Sequence, residues 1–134
     1  MDILDLLVTF HSFWRYAVVI AAVVAIVGAL GAWFGSLPAR ETARRAGLLY
    51  IIALDVQVLV GIVLWIGKGW YAVPGYFRAE HPATMLLAMI VAHVGQVLSR
   101  RAKTPRGAAQ AVAIAVAISL VLVILGIPGV VRGG

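Results

Sequence analysis

The sequence predicts an all-α integral membrane protein: a single four-helix bundle spanning 1–134, crossing up-down-up-down, with both termini on the non-cytoplasmic side. Three observations predict it. Of the 134 residues, 63% are hydrophobic and only 12% are charged, whereas a soluble domain carries about 25% charge. The apolar residues gather into four long runs, and a hydrocarbon core about 30 Å thick takes roughly 20 helical residues to cross. The basic residues gather in two of the three connections, which sets an orientation by the positive-inside rule. Strands do not suit the runs, which are long, lack period-2 alternation and are rich in Ala, Leu and Met.

The first helix is expected over about 4–35, an amphipathic lead to Arg15 followed by an apolar run over 16–35. The lead opens with Asp2 and Asp5 rather than a basic segment, so it does not read as a cleavable signal peptide. The second helix is expected over 46–67, after a loop at 36–45 that holds Pro38, Arg40, Glu41, Arg44 and Arg45. The third is expected over 82–99. Its apolar part is only about 16 residues, so it must use its flanks or thin the bilayer. The fourth, over 108–127, is rich in alanine and ends at Pro128 and Gly129. Small residues such as Gly28 and Ala32, and the series from Ala109 to Ala117, let helices approach closely.

Seven of the eleven basic residues lie in the loops 36–45 and 99–107, which places both loops in the cytoplasm. The loop 68–82 differs: Trp70, Tyr71, Tyr76 and Phe77 suit the headgroup layer on the outer side. Charge confined to short loops forms no continuous basic stripe, which argues against nucleic-acid binding. The chain has no cysteine, so thiolate metal sites, iron–sulfur clusters and disulfides are excluded.

The informative residues are the polar ones within apolar runs: His11, Arg15, Asp55, Gln57, His81, His93 and Gln96. Each costs free energy in hydrocarbon unless it is paired or near water. The topology brings His11 and His81 to one level near the outer rim. Two histidines on different helices of a bundle can ligate a haem iron axially. Arg15 follows His11 by one turn on the same face. Arg15 and Arg78 could pair with propionates, and Phe10, Phe13, Trp14, Trp70 and Phe77 could cover a porphyrin. Met85 and Met89 follow His81 at helical spacing, so a thioether could replace one imidazole. The plainer alternative is that these residues sit at the membrane interface, where histidine, arginine and aromatics are common.

Asp55 and His93 form a second constellation, at depths that differ by only about 3 Å at 1.5 Å per residue. An unpaired carboxylate there is expensive, so Asp55 should be protonated or bonded to His93 or another donor. The functional reading is a quinone-head or proton-relay site, and the structural one is an interhelical hydrogen bond. His93 has no histidine at matching depth on the other helices, which disfavours a second bis-histidine haem.

The stretches His11-Ser12-Phe13-Trp14-Arg15-Tyr16, Leu54-Asp55-Val56-Gln57-Val58-Leu59-Val60-Gly61 and Glu80-His81-Pro82-Ala83-Thr84-Met85 resemble a family of small four-helix bacterial membrane proteins labelled cytochrome b. The closing Leu125-Gly126-Ile127-Pro128 is similar as well, so the resemblance spans nearly the whole chain. It implies a haem b protein of the bacterial inner membrane, with His11 and His81 as ligands. Histidine is frequent in that family at the position of Asp55, and its absence here rules out a haem ligand from the second helix.

Two functions follow as expectations. One is a b-type cytochrome with a single haem near the outer face, relaying electrons between the quinol pool and a partner complex of a respiratory chain. The other is a cofactor-free accessory subunit of a larger respiratory or photosynthetic complex. No inverted repeat points to a transporter. The lipid bilayer is the one certain partner; a homo-oligomer and a larger complex are both compatible with the sequence. The motifs assign no catalytic residues.

Overall fold

A computed structural model describes residues 2–128. The described residues form four α-helices: α1 (Ile3–Phe34), α2 (Ala39–Gly67), α3 (Glu80–Arg101) and α4 (Pro105–Gly126), with a single 3₁₀ turn at Trp70–Ala72. They contain no strand. All four helices are long and apolar enough to cross a membrane.

Helices α2, α3 and α4 extend beyond the expected bounds: α2 and α4 at their starts, α3 at both ends. The segment expected as a loop at 36–45 is mostly the first two turns of α2. Its Arg and Ala residues are good helix formers, and Glu41 pairs with Arg44 at 2.9 Å and Arg45 at 2.8 Å, three and four residues on. Helix α4 starts at Pro105, where the missing N–H costs nothing, and the Thr104 hydroxyl accepts from the Gly107 amide at 2.9 Å. Helix α3 is 22 residues long, about 33 Å at 1.5 Å per residue. With its flanks included it is long enough to cross a bilayer core. Of the two residues expected to end α4, Pro128 lies just past its last turn; Gly129 lies outside the described residues.

Side chains are distributed inside out relative to a soluble bundle. Large aliphatics face outward on every helix: Ile20, Val27, Leu59, Ile90 and Val121 are each at least half exposed. The interior is built from small residues, with Ala22, Ala25, Ala29, Ala43, Ala88 and Ala109 fully buried. Lipid competes equally for large apolar side chains, so helices associate through close backbone approach and interhelical hydrogen bonds instead. Gly95 shows the approach: a Cβ there would overlap the Cβ of Ala115 on α4. Tyr50 and Ser119 show the bonds. The Tyr50 hydroxyl donates to Ser119 Oγ at 2.7 Å, and Ser119 donates on to the Ala88 carbonyl at 2.7 Å. That chain ties α2, α4 and α3 together in the buried centre.

Contacts between helix ends fix which termini lie together. Lys68, just past α2, pairs with Asp5 in the first turn of α1 at 2.7 Å. Arg40 at the start of α2 donates to the Ala102 carbonyl past the end of α3 at 3.1 Å. Tyr76, before α3, donates to the Gly126 carbonyl at the end of α4 at 2.7 Å. One end of the bundle thus gathers His11, His81 and the aromatic connection, and the other gathers Arg40, Arg44, Arg45, Arg100 and Arg101.

Candidate functional site

The histidine end encloses a cavity of about 530 Å³, within the roughly 300–1,000 Å³ range of ligand clefts. Its walls are almost wholly apolar. The polar residues that line it are His11, Ser12 and Arg15 from α1, Gln57 from α2 and His81 from α3. Trp65, Trp70 and Phe77 close one side, and Met85, Val123 and Ile127 another.

His11 reaches the cavity because Gly61 leaves room for it. A Cβ on Gly61 would sit 3.1 Å from His11 Cε1, tighter than ordinary van der Waals contact. Gln57 holds the same stretch of α1 by donating its side-chain amide to the His11 backbone carbonyl at 2.8 Å. His81 sits in the first turn of α3. Its Nδ1–H donates to the Gly126 carbonyl at 2.9 Å, the only role a carbonyl partner allows. That bond occupies one of the carbonyls a helix end leaves without an intrahelical partner, fixes the tautomer, and keeps Nε2 free. The two imidazoles lie with centroids 6.4 Å apart and planes at 81°. Two atoms of the facing wall, His11 Nδ1 and Gln57 Oε1, are buried with no hydrogen-bond partner.

The expected residues are thus partly assembled. His11, His81 and Arg15 share the cavity, as do Trp70, Phe77 and Met85. Arg15 also donates to the Tyr16 hydroxyl at 3.1 Å. Arg78 does not line the cavity; its contribution is a backbone carbonyl that accepts from Trp65 Nε1 at 3.0 Å. Phe10, Phe13 and Trp14 turn away from it. Phe10 stacks on Trp14 with centroids 5.3 Å apart, and Trp14 donates to the Ala53 carbonyl at 2.7 Å. Gln57, Gly61 and Trp65 had no assigned part in the site from sequence. Gln57 and Gly61 stand three and seven residues after Leu54, which also lines the cavity, so helical spacing was the available signal.

Comparison with family models, curated proteins and solved structures finds no match for this chain.

The donor set discriminates between kinds of ligand. No group of three or more His, Cys, Asp or Glu that could hold a metal ion occurs among the described residues. Two imidazoles alone leave a bare ion short of the four ligands a structural site needs, whereas a macrocycle brings its own equatorial donors. The His11 and His81 rings, with centroids 6.4 Å apart, are the donor pair such a group would use.

Asp55 and His93 lie elsewhere. His93 Nε2–H donates to both carboxylate oxygens of Asp55 at 2.9 Å. The pair sits on the outer surface between α2 and α3, with side chains 33% and 49% exposed. The expectation that Asp55 finds a donor in His93 describes this contact. Gln96 is separate again, buried against Gly47 near the arginine end.

Proposed function

We propose that this protein is a membrane-embedded b-type cytochrome that holds one haem b at its histidine end. The observation that carries the reading is the His11–His81 pair, 6.4 Å apart across an apolar cavity. His11 and His81 would hold its iron. The Gly126 carbonyl orients His81 through Nδ1, as hydrogen-bond acceptors orient metal-bound imidazoles. Coordination of His11 would supply what its wall lacks, since a buried polar atom left unpaired costs roughly 1–3 kcal/mol. Arg15 stands at the cavity wall, where it could meet a propionate, whereas Arg78 does not line the cavity. The apolar lining would keep water from the bound group. When bound, haem supplies reversible one-electron chemistry; the protein's part is to hold it, exclude water and set its potential through ligands and burial.

The chain would cross the bacterial inner membrane up-down-up-down, its arginine end in the cytoplasm by the positive-inside rule and both termini outside. It would relay electrons between the quinol pool and a partner complex of a respiratory chain, alone, as a homo-oligomer or as a subunit.

The test is a reduced-minus-oxidised absorption spectrum of protein purified from haem-replete cells. A b-type alpha band is expected, and H11A and H81A should each abolish it while helicity is retained. A colourless, well-folded preparation overturns the reading in favour of a cofactor-free accessory subunit.

A further inference from the structure

The Asp55–His93 pair is a second site, and its polarity defines what it can bind. Both residues lie well inside helices of membrane length, yet the pair faces outward. Flanking it are exposed aliphatics, among them Ile52, Leu59, Ile90 and Val94. What reaches the pair therefore comes through the hydrocarbon. An aspartate at this depth is costly unless it is paired, and His93 is the side chain that pairs with it.

The bond also fixes which groups remain available. With Asp55 ionised and His93 neutral, the His93 Nε2–H is spent on the carboxylate. Its Nδ1 is then an acceptor with no protein partner among the described residues, and the carboxylate keeps lone pairs of its own. The site presents acceptors and no donor. A lipid-soluble molecule that satisfies it must bring an O–H on a flat, largely apolar head.

We propose that the outward-facing Asp55–His93 pair, at the seam between α2 and α3, binds the hydroquinone head of a lipid-soluble quinol arriving from the bilayer. One phenolic O–H would donate to His93 Nδ1, and the tail would lie along the exposed aliphatics. The oxidised quinone has only carbonyl acceptors and cannot make that bond. The seam adjoins the cavity: Leu54 and Val58, beside Asp55 on α2, line it. Gly61, beneath His11, is about 9 Å further along the same helix. The role of the site as the electron donor's berth rests on the cytochrome reading; the binding does not.

The experiment uses the full chain in lipid nanodiscs, under anaerobic conditions, with calorimetric titration of three probes. These are a short-tailed benzohydroquinone, the corresponding quinone, and the hydroquinone's dimethyl ether, which keeps the shape and lacks the donors. Saturable hydroquinone binding is expected, at least tenfold tighter than either control. D55N and H93Q should each weaken it at least tenfold, with melting temperature and circular dichroism confirming that each variant folds. If a variant does not fold, selectivity among the three probes on the wild-type protein decides. Equal affinity for all three, no saturable binding, or crosslinking that finds the pair covered by another subunit overturns the proposal. The absorption spectrum of the same sample keeps the two readings apart. A colourless sample that retains the selectivity supports the site and removes the cytochrome. A sample with the b-type band and no selectivity does the reverse.

Discussion

His11 and Gly61 are a matched pair, and neither explains the site alone. The imidazole packs where α2 has no side chain, so the glycine decides where the ring sits. In G61V the new side chain should push the His11 ring out of line with His81. We expect haem occupancy, read as the ratio of Soret to protein absorbance, to fall at least tenfold with helicity unchanged. G61A, with contact at 3.1 Å, should lose less. The residue types of this site were legible in the sequence, because ionisable side chains in apolar runs stand out. Their directions were not. Arg15 and Arg78 looked equivalent as propionate partners, yet only Arg15 lines the cavity. Trp14 looked like a porphyrin cover, but its indole N–H takes a backbone carbonyl instead. A buried indole must find an acceptor, and which one it finds is decided by the neighbouring helix.

Between helices, stability comes from short contacts and a few hydrogen bonds rather than from bulk burial. Ser119 links Tyr50 on α2 to the Ala88 carbonyl on α3. Interhelical hydrogen bonds in membranes average about 0.6 kcal/mol and reach about 1.7. S119A also strands a buried tyrosine hydroxyl, so its cost should lie near the upper end, about 1–2 kcal/mol. Reversible unfolding in mixed micelles measures it, and Y50F should cost less because it removes the stranded group as well. G95V forces branched carbon into Ala115 and should cost about 1–3 kcal/mol as overpacking. The end contact between Asp5 and Lys68 is different in kind. The Asp5 carboxylate holds the Lys68 ammonium above the ordinary lysine range. A cation with a raised folded-state pKa contributes stability at neutral pH and below, and loses it as pH rises through that raised value. Melting temperature across the alkaline range should therefore fall more steeply for the wild type than for K68Q.

At the scale of the whole molecule, the bundle has two unlike ends and an apolar surface between them. The arginine end carries Arg40, Arg44, Arg45, Arg100 and Arg101; the histidine end carries the cavity and the aromatic connection. Orientation is directly measurable, because the chain has no cysteine to interfere. Single-cysteine variants at Lys103 and Val73, labelled in intact cells with a membrane-impermeant maleimide, should report opposite sides, with only the Val73→Cys variant reacting. Reaction at Lys103→Cys alone would reverse the orientation and place the cavity on the cytoplasmic face.

The four membrane-length helices, the two-ended charge distribution and the short roster of polar residues are all legible in the sequence. All three depend on composition and on one-dimensional order: hydropathy over about 20 residues, and charge in loops, need no partner to be read. It also carried the depth match between Asp55 and His93, since helical rise is a constant. Only the tertiary structure decided which polar residues share a cavity, because that depends on helix rotation, and rotation is set by contacts between small side chains whose pattern repeats along every helix here. The same cause separated the two constellations. His11 and His81 turn inward around Gly61 and the Gly126 carbonyl, whereas Asp55 and His93 pair on the surface between α2 and α3.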